Sequence, residues 1–110
     1  MDINEIRKAL SSGVVIEYKA HCLKRMLERG ISRKDIVDCI MNGEIIEDYP
    51  LDNNMSTDSF PSCLILLLHS EEKNAIHTVI GFNGKKIIVI TAYYPDKEQW
   101  DDTFSKRKER

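Results

Sequence analysis

The sequence predicts an α+β fold, with two to three N-terminal helices packed on a four-stranded antiparallel sheet. Three observations carry this expectation. Segments with helical apolar spacing come first and segments with strand character follow, and that order indicates α+β with an antiparallel sheet rather than alternating βαβ units. Asn83-Gly84 stands between two apolar runs and signals a hairpin, because both central residues of a type I′ turn need positive φ. A chain of 110 residues with 42% hydrophobic content fits a single domain, 1–110, with one core.

Asp2 is the expected N-cap of a helix over residues 3–11, with Ile3, Ile6 and Leu10 at helical spacing and Ser11-Ser12-Gly13 as its end. Val14–Tyr18 reads as a short strand or as the lead into the next helix. Lys19–Arg29 reads as an amphipathic helix. At ~100° per residue, Ala20, Leu23, Met26 and Leu27 share one side, and His21, Lys24, Arg25 and Glu28 share another. Gly30 is its stop. Ser32 with Asp35 resembles a capping box for a third helix, whose stripe is Ile36, Val37, Ile40 and Met41 and whose end is Asn42-Gly43. Residues 44–49 have strand character and Pro50 stops them; residues 51–62 read as a mobile loop. Three strands are expected at 63–69, 75–82 and 86–94, then a helical turn over 97–104 carrying Trp100 and Phe104, and a flexible tail over 105–110.

Charge is unevenly spread. The formal net charge is −2, yet Lys19 to Lys34 holds six cations, His21 and one acid, Glu28. Local charge is what a polyanion meets. The longest apolar run, Cys63–Leu68, is far too short to cross a bilayer. The first five residues lack the basic start and apolar stretch of a signal peptide, and three cysteines are an odd number. Reduced thiols and a cytoplasmic location are therefore expected, with no membrane association.

Two constellations could carry chemistry. His21, Arg25 and Glu28 lie on one helix face with Arg29 at its edge; an imidazole beside guanidinium groups suits a phosphodiester, and a solvated surface face explains the same residues equally. His77 stands in an apolar strand, either as a structural imidazole satisfied by a neighbour or as a proton-transfer group. Thr91, Tyr93 and Tyr94 end the last strand and could bind phosphate, stack on bases or close the sheet edge. A two-residue loop at Asn83-Gly84 would pair His77 with Ile90, placing it on a face with Ile88, Ile90 and Tyr94. A bulge at Gly81 would reverse that face, so spacing leaves open whether His77 meets Thr91 or Tyr94. No Cys-x-x-Cys or His-x-x-x-His pair is present, so no metal site is expected, and no phosphate-cradling glycine loop points to a cofactor.

Five motifs occur in order: His21-x-x-x-Arg25-Met26-x-x-Arg29-Gly30-Ile31-Ser32; Gly43-Glu44-Ile45-Ile46-Glu47-Asp48-Tyr49-Pro50; Pro61-Ser62-Cys63-Leu64-Ile65; Ile76-His77; and Thr91-Ala92-Tyr93-Tyr94-Pro95-Asp96 with Trp100. Together they resemble the domain-of-unknown-function family 4258 over about residues 14–104. The resemblance implies a layout similar to the RelE/barnase/EndoU/colicin-like (BECR) group of small RNA-cleaving domains. It also implies a toxin–antitoxin setting, since members of the family occur beside zinc-finger antitoxin-like proteins. Leu67, where many relatives have Gly, and the long polar loop 51–60 depart from the pattern.

The expected function is a metal-independent endoribonuclease that uses the 2′-hydroxyl of RNA as its nucleophile. His21 and His77 would exchange protons, Arg25 and Arg29 would stabilise the phosphorane, and Thr91 or Tyr93 would orient the phosphate. Lys24, Arg29 and Tyr94 would hold RNA, and an antitoxin protein is an expected partner. The alternative is a non-catalytic module of the same fold that docks RNA or a protein through the basic helix. A third reading makes the acidic middle, Glu44 to Asp58, the surface for a basic partner.

Overall fold

The computed structural model describes residues 1–49, 60–69, 74–96, 98–101 and 103–107. In chain order these form α1 (Ile3–Ser11), β1 (Ile16–Tyr18), α2 (Ala20–Arg29), α3 (Arg33–Asn42), β2 (Glu44–Tyr49), β3 (Ser62–His69), β4 (Asn74–Phe82) and β5 (Ile87–Tyr93). The helices form where local chemistry dictates. Asp2 accepts a bond from the Asn4 amide, Ser32 and Asp35 make a reciprocal capping box, and Gly30 ends α2 at φ 71°, where a glycine carries no Cβ penalty. The Arg7 guanidinium donates to the carbonyls of Ile40 and Gly43 at 2.8 and 2.6 Å, which ties α1 to the end of α3.

The sheet is mixed and five-stranded, in the order β1-β5-β4-β3-β2, instead of four-stranded and antiparallel. The added strand is β1, three residues long and parallel to β5. It is held by a partner far along the chain, so its own short sequence carries little sign of it. The helices cover one face of the sheet. Ile6, Cys22, Met26, Ile36, Cys39 and Ile40 pack there on Cys63, Ile65, Ile76, Ile80, Ile87 and Val89. On the other face, Trp100 and Phe104 pack on Leu64, Leu66 and Ala75.

α2 is rotated from the expected orientation. Cys22 and Met26 are buried, at 1% and 3% exposure, whereas Leu27 is 84% exposed and Ala20 also faces solvent. Cys22 behaves as a small hydrophobe, and the pair Cys22/Met26, one turn apart, sets the buried line. The β4–β5 connection also differs. Phe82 pairs with Ile87, so the loop is Asn83–Lys86. Gly84 takes positive φ, 91°, while the Asn83 side chain accepts from the Lys85 and Lys86 amides at 2.9 and 2.8 Å. The Asn-Gly pair thus makes an Asx-type turn within a longer loop.

Further along, Ile80 pairs with Val89 and Val79 with Thr91, leaving Ile90 as a bulge. The bulge lies on β5 instead of at Gly81. It reverses the expected face and sets Tyr93 opposite His77.

No helical turn carries Trp100 and Phe104. The Gln99 and Trp100 amides bond to the Asp96 carbonyl at 3.0 and 3.1 Å. The Asp101 carboxylate then accepts from the Thr103 and Ser105 amides, offering those amides an alternative to helical carbonyls. Phe104 sits at φ 58°, and Trp100 bridges back to Arg107. Of the expected tail, residues 105–107 belong to this closed loop; 108–110 lie outside the described residues, as does most of the loop expected at 51–62.

Candidate functional site

His77 lies on β4 beneath the C-terminal segment and is 0% exposed. Its Nε2 is 2.9 Å from the Phe104 carbonyl oxygen. A carbonyl only accepts, so Nε2 carries the proton and Nδ1 is the acceptor, 3.3 Å from the Tyr93 hydroxyl. Trp100 meets the imidazole edge to face at 4.4 Å between ring centroids, and Tyr93 does so at 5.3 Å. The Arg107 guanidinium stands 4.8 Å over the Trp100 ring and donates to Glu47 through Nε and Nη2 at 3.0 and 3.2 Å. The Tyr49 hydroxyl also donates to Glu47.

Burial pushes the His77 pKa down, against the opposing pull of the Phe104 carbonyl and the Glu47 charge. The Arg107 guanidinium holds the Glu47 carboxyl below its ordinary range, and burial raises Tyr93. The result is a neutral, desolvated imidazole with both ring nitrogens engaged inside the protein.

The second constellation is the solvent side of α2. His21 is exposed and lines a shallow depression with Glu17, Lys19, Ala20 and Ile88. Lys24 and Arg25 are exposed, with Arg25 3.9 Å from Glu28. Arg29 donates to the Ala92 carbonyl at 2.8 Å, beyond the point where β1 stops covering the edge of β5. That contact brings Arg29 to the end of the strand that leads into Tyr94, itself 49% exposed.

The expected residues therefore fall into two groups. Tyr93 meets His77, and Thr91 shares its face of the sheet, opposite Val79. His21, Lys24, Arg25 and Arg29 belong to the α2 surface. The two histidines are not brought together. The depression beside His21 reaches Ile88, which pairs with Gly81, four residues along β4 from His77. At the usual strand rise that is ~13 Å, and Trp100 and Phe104 close over His77.

Sequence reasoning missed the parts played by Glu47, Arg107 and the Phe104 carbonyl around His77. The proximity of Trp100 in the motif set was the one available signal; nothing in the spacing ties Arg107 to a residue of β2. Among the described residues, no three His, Cys, Asp or Glu side chains converge as metal ligands, and no helix is long and apolar enough to cross a membrane.

A family model described as "Domain of unknown function (DUF4258)" matches residues 18–94, and the chain belongs to that family. No curated protein and no solved structure matches the chain.

Proposed function

We propose that this DUF4258 member is a non-catalytic module that docks RNA through the solvent side of α2 and the turn into α3. The observation that carries the proposal is the exposure of Lys19, Lys24, Arg25, Arg29, Arg33 and Lys34 around a single acid, Glu28. Such a surface attracts phosphates by charge and counterion release. Arg25 and Lys24 project freely enough to meet a backbone, and the exposed Tyr94 near Arg29 offers a ring for base stacking. Resemblance to the RelE-like nuclease toxins supports RNA as the ligand by analogy of fold alone.

The module reading is preferred over the endoribonuclease because proton transfer needs both groups within hydrogen-bond reach of the reacting oxygens. His77 is sealed and engaged, and His21 stands apart from it. The test is a fluorescence-anisotropy titration of a labelled single-stranded RNA in EDTA, with the same samples run on a gel for cleavage. At ~0.15 M salt each lost phosphate contact weakens binding about fivefold. Lys24→Glu with Arg25→Glu is expected to lower affinity about 25-fold or more, with intact RNA throughout. Cleavage in EDTA that disappears in His21→Ala would overturn this reading in favour of the nuclease. Equal binding by wild type and the double variant would remove α2 as the docking surface.

A further inference from the structure

We propose that His77 is an acid-sensitive latch on the C-terminal segment 96–107, and that protonating its imidazole releases this segment and uncovers the Leu64, Leu66 and Ala75 face of the sheet. The inference is independent of RNA docking, which concerns α2.

The geometry makes His77 the single side chain that joins the segment to the centre of the sheet by a hydrogen bond. Nε2 donates to the Phe104 carbonyl and Nδ1 accepts from Tyr93. Protonation would add a donor at Nδ1, facing a hydroxyl that already donates, in a place without water. The groups that face the ring can be named element by element. From β5 comes the Tyr93 hydroxyl. From the C-terminal segment come the Phe104 carbonyl, the Trp100 ring and, beyond it, the Arg107 guanidinium. From β3 comes the apolar Leu66, its pairing partner. From β2 comes Glu47, whose carboxylate is engaged by Arg107 and Tyr49. Among the described residues no uncommitted carboxylate meets the imidazole, so an imidazolium there would be desolvated and unpaired, and Arg107 would repel it.

Release restores water to the ring and its ordinary affinity for protons. The closed segment therefore binds fewer protons than the released one. It is held fully above the ordinary histidine pKa of ~6.5 and loosens as the pH falls toward the depressed value. Within that window the release equilibrium shifts up to tenfold per pH unit. The response can remain local. The segment follows the last strand and rests on the sheet through Trp100, Phe104 and Arg107, while β3, β4 and β5 stay paired by their own ladders.

Trp100 is the sole tryptophan and reports directly on the latch. The full chain is titrated from pH 7.5 to 4.5, following Trp emission, binding of an apolar dye and far-UV circular dichroism together. The expected result is a red-shifted emission and dye binding that develop below about pH 6.5 while the dichroism is retained. His77→Gln keeps an amide donor for the Phe104 carbonyl and removes the titration, so its emission should stay flat over the same range. Should that variant fail to fold, NMR of the wild-type His77 ring gives the second readout, and its titration must coincide with the emission change. Unchanged emission in the wild type, an equal change in His77→Gln, or ring titration at a different pH from the emission change would each overturn the latch.

Discussion

Replacing Arg107 with alanine removes two interactions that hold the C-terminal segment against β2. One is the two-pronged bond to Glu47, at 3.0 and 3.2 Å. The other is the guanidinium 4.8 Å above the Trp100 ring. The side chain is 59% exposed and that of Glu47 24%, so solvent screening holds the ion pair to the upper end of the surface range, about 1 kcal/mol. The cation–ring contact adds ~0.5–1 kcal/mol. Together they predict a loss of about 1.5 kcal/mol. For 110 residues the unfolding entropy near the midpoint is ~0.23 kcal/mol per kelvin, so Tm should fall by about 6 °C. Thermal unfolding followed by both circular dichroism and Trp100 emission measures it. Arg107→Lys should recover only part of the loss, because an ammonium cannot reproduce the fork. A fall of less than about 1 °C by dichroism and no earlier change in emission would refute the reasoning, since neither the sheet nor the segment would then depend on Arg107.

Two further outcomes test the packing. Gly43→Ala places a Cβ 2.6 Å from the Leu66 carbonyl oxygen and also against the Cys39 carbonyl; backbone atoms cannot step aside, so urea unfolding should show a loss of about 3 kcal/mol, and a loss under about 0.5 kcal/mol would show that the α3–β2 junction gives way freely. Burial pushes the Cys39 and Cys63 thiols up to about 11 and about 12 and also raises Cys22, so a disulfide reagent at pH 8 should label none of the three in the folded protein and all three in denaturant; rapid labelling of the folded chain would contradict the buried placement.

The helices were legible in the sequence because their signals are local: Asp2, Gly30 and the Ser32/Asp35 pair each act within four residues of where they stand. What escaped was settled by distant partners. β1 exists because Ile87–Val89 lies alongside it. The orientation of α2 follows from which stripe fits β5, and a stripe containing Cys22 was not separable from one containing Leu27 by periodicity alone. The face of β5 that meets His77 depended on one unpaired residue, Ile90, and bulges leave little trace in composition. The candidate residues were mostly found, yet their grouping was not. His77 and Tyr93 stood out as chemistry-bearing residues, but their link to Phe104, Trp100, Arg107 and Glu47 required the path of residues 96–107 across the sheet.

β5 sits second from the edge, between β1 and β4, although it is the last strand of the chain. During synthesis the early strand β1 and the helix after it must therefore wait for a docking platform. At 5–20 residues added per second, the interval from Tyr18 to Tyr93 is on the order of 4–15 s. For that time the Cys22/Met26 stripe has no finished surface to rest on. The nascent chain is thus open to chaperones, proteases and neighbouring polypeptides until its final quarter emerges. A ribosome stalled before residue 87 should hold a chain whose first strand remains unpaired.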